Sequence, residues 1–502
     1  MQKRKTVSVV GAGVAGLASA IRLQHAGYEV EIYEKESTPG GKMNVLKKDG
    51  YQFDLGPSIV MMPDLYREVF ELVGRDPDDY IPMQRLDPMY SAFFNDGKEK
   101  FDVSSDLVTM IREIEKISEE DSQGYLAYLD DIYKRFIIAK DHFLQQPFRN
   151  KRDFYNPTTL LQGLRLKTFD TAEHSISKYI KDEKLKQMLS FQTLYIGVSP
   201  KNGPSLYTII PMIEILYGIW FIKGGMHTMA KAMERLFLEL GGSIHYHSDV
   251  QEILIVDQKA KGIAVDGEEI YSDYVMCNAD FPYAMKNLVK DVKSKGKYTD
   301  KKIDKMKYSC SCFVLYLGMD RKYDEVENLH NFMFSKNLDQ NLEQIFNGER
   351  LEDPSVYLYV PTKGDASLAP EGKEGLYILV PVSELSIAQY EWNDETIRYY
   401  RDKVFENLKN LPGMENIEQE VVTEAYTTPL DWESKFNAYN GATFGLQPIL
   451  TQSNHMRPQS KATHCENLYF TGSSTHPGAG VPIVLLSAKI ATDELQLDDK
   501  DK

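Results

Sequence analysis

The stretch TVSVVGAGVAGLASAIRL, residues 6–23, restricts the possible fold more than any other part of the chain. Thr6 to Val10 is rich in Val, the composition of a strand buried on both faces. Gly11, Gly13 and Gly16 follow with the spacing G-x-G-x-x-G, and the apolar pattern then predicts a helix over 14–26 that stops at Gly27. A second strand, EVEIYEK, closes at Glu34. In a strand–turn–helix–strand unit each of these residues has a physical task. Gly11 permits the tight turn, Gly13 lets a pyrophosphate approach the backbone, and Gly16 lets the helix lie close to the strand. The helix N-terminus offers free N–H groups and a partial positive charge. Glu34 stands about 20 residues further on, where an acid accepts hydrogen bonds from a ribose diol and disfavours a 2′-phosphate.

The same segment begins MQKRK and continues with apolar and small residues, as a secretory leader does. The fixed glycine offsets and the acid at the end of the second strand favour the dinucleotide reading. No run reaches about 18 uninterrupted apolar residues, so no membrane-spanning helix is expected. The 502 residues carry a formal net charge of −16, which argues against nucleic acid as a partner. Cys277, Cys310, Cys312 and Cys465 form no CxxC pair and no zinc-like spacing. Reduced intracellular thiols and no metal site are expected.

More small-residue loops follow where a nicotinamide protein would usually continue with another strand–helix unit. STPGGKMN (37–44) is a second glycine turn beside Lys42, and YQFDLGPSIV (51–60) contributes Asp54, Gly56, Pro57 and Ser58. Far along the chain, FTGSSTHPGAGVPIVLLSAKIA (470–491) reads as a strand end, a glycine loop and an apolar helix. Together, GAGVAGLASA, Glu34, PGGKMN and FDLGPS resemble the flavin-binding start of the amine oxidase and phytoene desaturase superfamily.

That resemblance implies an α/β fold: a Rossmann-like FAD-binding domain with an interleaved α+β substrate domain. It implies FAD-binding segments at 1–100, 224–285 and 425–502, a helical substrate or membrane-contact region at 101–223, and a substrate sheet at 286–424. It places cofactor contacts at Gly11, Ala12, Gly13, Val14, Ala15, Gly16, Glu34, Lys35, Gly41, Lys42, Gly56, Pro57 and Ser58. Val250, Asp280, Gly472, Gly480 and Val481 complete the set. The first loop would hold the pyrophosphate and adenosine, and the loop from Gly472 to Val481 the isoalloxazine and ribityl end. Helix N–H groups from Val481 onward would face the ring edge that gains negative charge on reduction.

Longer pieces are similar to the bacterial carotenoid desaturases of the dehydrosqualene (4,4′-diapophytoene) type. They are FDLGPSIVMMPDLY, MLSFQTLYIGVSPKNGPSLYTIIPMIE, FIKGGM and GSSTHPGAGVPIVL. This resemblance implies FAD-dependent desaturation of a linear C30 polyene by hydride transfer to flavin N5. It also implies a cytoplasmic protein, peripheral on the inner face of the cell membrane. A related terminal-methyl oxidase, a C40 phytoene desaturase and a flavin-free prenyl carrier of the GDP-dissociation-inhibitor kind are the alternatives. The intact Gly11, Gly13, Gly16 and Glu34 oppose the last.

Leu206 to Ile222 is apolar except for Thr208 and Glu214, and as one helix it would form a core element or a tunnel wall. Glu214 is either a carboxyl of raised pKa near substrate or a helix carboxylate turned toward Lys223. His476, at the start of the HPGAG turn, either shuttles a proton near the flavin or braces the loop. Asp54 and Asp280 are expected to cap loops of the cofactor site. Phe191, Tyr195, Tyr217 and Trp220 are tunnel-wall candidates. The oligomeric state is not legible in the sequence.

Overall fold

The computed structural model of the protein describes residues 4–139, 157, 161, 163, 166 and 170–500. Of the helical region expected at 101–223, the helix Glu119–Ala139 is described and residues 140–156 lie outside the described residues.

Two sheets organise the chain. The first has five parallel strands in the order Leu468–Phe470, Tyr274–Cys277, Thr6–Val10, Glu29–Tyr33 and Ser243–His245. Its central strand reads TVSVV, and Val7, Ser8, Val9 and Val10 are all buried. The helices Val14–His25, His227–Glu239 and Val481–Lys500 cover one face through Leu17, Ile21, Met229, Met233, Leu485 and Ala488. A small antiparallel sheet of Val250–Val256, Lys259–Val265 and Glu268–Tyr271 covers the other through Ile253 and Ile263. The register pairs Val10 with both Tyr33 and Cys277, and Cys277 with Phe470. Four strands therefore end level, and the loops that follow them open on one edge.

The second sheet has seven strands: Val421–Thr427, Ser311–Met319, Glu374–Val382, Val356–Tyr359, His330–Met333, Tyr90–Phe94 and Glu99–Val103. All pairs are antiparallel except His330–Met333 with Tyr90–Phe94. Both faces are buried, and side chains alternate between them with the period of two that a pleat imposes. Cys312, Val314 and Tyr316 face the cavity-side core, while Phe313, Leu315 and Leu317 face the opposite one. The strands Tyr90–Phe94 and Glu99–Val103 belong to this sheet, whereas the resemblance implies a cofactor-binding segment over 1–100.

The apolar run 206–222 is not one helix. A short 3-10 turn at Ser205–Thr208 leads into the helix Ile209–Tyr217, Gly218 breaks it at φ 73°, and Ile219–Ile222 is a strand paired with Met83–Leu86. The acidic residues near the chain's end continue the helix to Lys500 instead of forming a tail. Asp499 accepts from the hydroxyls of Tyr28 (2.8 Å) and Tyr274 (2.6 Å), and Asp498 from that of Tyr469 (2.6 Å).

At Gly218 a Cβ would stand 2.5 Å from the Arg85 side chain, in a backbone region that L residues rarely adopt. Gly218→Ala is expected to destabilise the protein by about 1–3 kcal/mol, seen as a lowered thermal unfolding midpoint with secondary structure retained at low temperature.

Candidate functional site

A cavity of about 530 Å³ runs from the level strand ends of the first sheet to the near face of the second. Its volume lies within the range of small-molecule sites. At one end stand Gly11, Gly13, Val14, Ala15, Glu34 and Lys35; further along come Gly41, Lys42, Gly56, Pro57 and Ser58. Val250, Asp280, Gly472, Gly480 and Val481 complete the same wall. Of the eighteen cofactor positions named from sequence, only Ala12 and Gly16 stand off the wall. The two glycine loops, at 11–16 and 472–480, are thus parts of one cavity because their strands are two places apart in one parallel sheet.

The first loop is shaped by absences. A Cβ on Gly13 would lie 2.6 Å from Asn278 Nδ2, and one on Gly16 would lie 2.1 Å from the Gly11 carbonyl. Gly13 caps the helix with no side-chain hydrogen bond, and that helix has no acid in its first turn. Its opening N–H groups have no intrahelical partners. Ala12 stands behind the wall: its amide donates to Glu34 Oε2 at 2.6 Å, while the Glu36 amide donates to Oε1 at 2.9 Å. Glu34 therefore ties the loop to the second strand, and burial raises its pKa against the pull of these two amides. Gly16 works behind the wall, where it admits the helix.

The loop from Asp54 to Ser58 is held by four tyrosine hydroxyls from three adjacent strands of the second sheet. Tyr316 donates to the Leu55 carbonyl (2.9 Å) and Tyr377 to that of Gly56 (3.0 Å). Tyr359 donates to Asp54 Oδ2 (3.2 Å), and Tyr357 shares a hydrogen bond with the Ser58 hydroxyl (2.8 Å). Tyr357 is backed by buried His330, whose Nδ1 lies 2.7 Å from its oxygen; burial pushes that imidazole's pKa down to about 3. Asp54 does not reach the cavity. It accepts from the Met226 amide at 2.8 Å, and burial raises its pKa to about 7.

Both candidate acid–base groups stand behind the cavity wall. Glu214 does not face Lys223. It is 2% exposed and lies behind the wall, accepting from Tyr90 and Gln192 (both 3.4 Å), with Tyr195 beside it. Burial raises its pKa to about 8, so the carboxyl is neutral at pH 7. His476 is buried and does not line the cavity; the flanking Thr475 and Pro477 do, and its amide donates to the Pro458 carbonyl at 2.8 Å. It braces the loop. Phe191 and Tyr195 are wall residues, whereas Tyr217 and Trp220 are not: the Trp220 indole donates to the Tyr217 carbonyl at 2.7 Å, away from the cavity.

Sequence reasoning missed several wall residues. Asn278 follows the Tyr274–Cys277 strand, and its side chain fills the space over Gly11, Gly13 and Gly16. Its sequence signal is a polar residue at the carboxyl end of a buried apolar strand. Thr443 accepts the Lys42 ammonium on its carbonyl at 2.7 Å, and desolvation lowers the pKa of that lysine. Nothing in the loop around Thr443 announces this role. Cys310 and Cys312 also line the cavity, but burial raises both thiols, Cys312 to about 12, so they are not nucleophiles.

The family model for flavin containing amine oxidoreductases matches residues 14–496. The chain belongs to this family. It is an FAD-dependent oxidoreductase, and the glycine cradle, Glu34 and the connected second loop fit that cofactor. A 4,4′-diapophytoene desaturase (4,4′-diaponeurosporene-forming) of Staphylococcus haemolyticus is 44% identical over 496 residues, covering 98% of this chain and 99% of the relative. The protein of the same name from Staphylococcus aureus gives the same figures. Among solved structures, an oxidoreductase from Methanosarcina mazei superposes with TM-score 0.67 at 18% identity, covering 97% of this chain and 100% of the other. Putrescine oxidase bound to putrescine gives TM-score 0.61 at 13% identity and covers 100% of both chains. At such identities the two structures speak for the fold alone.

Two outcomes follow from the geometry of this flavoprotein site. Gly13→Val is expected to give a folded protein that purifies without visible flavin absorbance. Glu214 imposes a pH dependence on stability. From the ordinary value of 4.5 up to about 8, only the folded chain keeps this proton. Stability must then fall as pH rises through that window, by at most about 1.4 kcal/mol per pH unit. Glu214→Gln is expected to flatten the decline of thermal midpoint between pH 5 and about 8.

Proposed function

We propose that the protein desaturates the linear C30 polyene dehydrosqualene (4,4′-diapophytoene) to diaponeurosporene-type carotenoids. The observation that carries this reading is the 44% identity, over the full length of both chains, to two staphylococcal 4,4′-diapophytoene desaturases. The cavity supports it. Away from the glycine loops its wall is apolar, with Phe191, Leu194, Leu206, Ile210, Ile213 and Phe332. A hydrocarbon offers no polar handle, so a wall of this kind must hold it by shape.

Bound FAD supplies the hydride acceptor. The first loop, with the helix N-terminus at Val14, would take the pyrophosphate, and Glu34 the ribose. Gly472 to Val481, with the helix that follows, would take the ring end. The tyrosine-clamped loop at Gly56–Ser58 stands between that end and the apolar arm. Loss of hydride from an allylic CH₂–CH₂ unit spreads positive charge over the polyene and makes a neighbouring proton acidic. The wall therefore needs no strong base, and positioning does most of the work. Glu214 suits that duty: as a neutral acid behind Tyr195 it adds no charge to the hydrocarbon's path.

The substrate partitions into lipid, and in this reading the enzyme meets it peripherally at the cytoplasmic face of the cell membrane. Among the described residues no helix is long and apolar enough to cross a membrane. The helices Leu107–Glu115, Glu119–Ala139 and Ile209–Tyr217 expose Leu107, Val108, Leu126, Tyr133, Ile137 and Leu216. With a net charge of −16, attraction to anionic lipid is weak, so insertion of these apolar side chains must supply the binding.

The test is incubation of the holoprotein with dehydrosqualene in lipid vesicles, read as stepwise growth of visible polyene absorbance. Oxygenated product would point to the terminal-methyl oxidase, and turnover of C40 phytoene alone to the other desaturase. Val108→Asp with Leu126→Asp is expected to reduce both vesicle co-sedimentation and turnover while flavin content stays unchanged. Absence of any conjugated product from the wild type would end this reading.

A further inference from the structure

Arg457 lies behind the second glycine loop and is 1% exposed. Among the described residues its guanidinium bonds carbonyl oxygens alone: Nε to Thr475 (3.1 Å), Nη1 to Gln452 (3.2 Å), and Nη2 to Leu446 (3.1 Å) and Ser473 (2.6 Å). Among the described residues no carboxylate forms an ion pair with it. A guanidinium does not lose its proton at neutral pH, and burial lowers this one only to about 10. Among the described residues the groups acting on its charge are the neutral phenols Tyr207 and Tyr298 and the acid Asp280. Asp280 is held on the cavity wall, where it accepts from the Ser474 hydroxyl and from the Tyr439 amide (3.0 Å).

A buried cation without a paired anion is costly unless charge nearby balances it. Two of the residues whose carbonyls hold this one, Ser473 and Thr475, lie on the cavity wall. A Cβ on Gly478 would stand 4.0 Å from both Cζ and Nε of Arg457, and Gly478, Ser473 and Thr475 all line the cavity. One thickness of backbone separates the guanidinium from whatever occupies this end. At 1% exposure the charge is poorly screened by solvent.

We propose that Arg457 is a fixed positive charge that raises the reduction potential of the flavin bound in this cavity. A flavin ring that accepts two electrons and one proton gains one negative charge, and a cation held behind the loop favours that form. Arg457 is a positioning and electrostatic residue, since it acts through the loop and does not touch the ring. The inference rests on the FAD assignment but not on the polyene substrate, and its test uses no polyene.

The experiment is redox titration of purified holoprotein against a reference dye, for wild type, Arg457→Gln and Arg457→Lys. Loss of the charge in Arg457→Gln is expected to lower the oxidised-to-reduced equilibrium constant at least about tenfold, which is about 30 mV for a two-electron couple. Arg457→Lys keeps the charge with fewer carbonyl bonds and is expected to stay near the wild-type potential. A Gln variant that retains flavin at the wild-type potential would overturn the proposal. So would a Lys variant shifted as far as the Gln variant, because bracing of the loop would then be the whole role. Where Arg457→Gln does not hold flavin, the Lys variant decides alone: an unchanged potential supports the charge, and a lowered one overturns it.

Discussion

The level register of the first sheet is the constraint on which the rest depends. Val10, Tyr33, Cys277 and Phe470 are side-by-side partners, so every chain segment that leaves them starts from the same edge. Parallel strands offer free backbone groups and helix N-termini at that edge, and ligands of open α/β sheets collect there. Residues from positions 11 and 480 can line one cavity because four short strands share a register. A shift of one residue in any of them would turn its buried side chains to the wrong face and displace its loop by about 3.3 Å.

The second dependency joins the two layers. Tyr316, Tyr357, Tyr359 and Tyr377 come from one sheet, and all four hydroxyls bind the loop between Asp54 and Ser58. Each buried hydroxyl requires a partner, so the sheet's own polar atoms fix the distance between the layers. The loop they clamp carries Gly56, Pro57 and Ser58 on the cavity wall. The apolar arm thereby inherits its position relative to the cofactor end. Stability and alignment of the reacting groups rest here on the same hydrogen bonds.

Local pattern made the cofactor end legible. Gly11, Gly13, Gly16 and Glu34 act over a span of about two dozen residues, and backbone geometry demands those residue types at those offsets. The same logic reached Gly41, Gly56 and the loop at Gly472. What stayed hidden depends on tertiary partners. Glu214 can be read as a buried acid, but that Tyr90 and Gln192 face it, and not Lys223, follows from strands and turns more than 20 residues away. His476 reads equally well as a proton shuttle or a loop brace, because only the loop's path, which turns it inward, separates the two. The run 206–222 misled because apolar content is the same for a buried helix and a buried strand; the single glycine at 218 carried the distinction. Arg457 had no sequence signal at all, since a lone arginine in a polar stretch resembles any surface residue.

The docking of Asp498 and Asp499 onto Tyr28, Tyr274 and Tyr469 bears on how the first layer is closed. The outer strand at 468–470 and the covering helix at 481–500 complete a layer whose central strand is at 6–10. That layer is closed only when the helix at 481–500 is present, because Leu485, Ala488 and Leu495 pack in the same core as Val7 and Val9 of the strand at 6–10. The nucleotide half is thus closed by the described helix that lies farthest along the chain from its central strand.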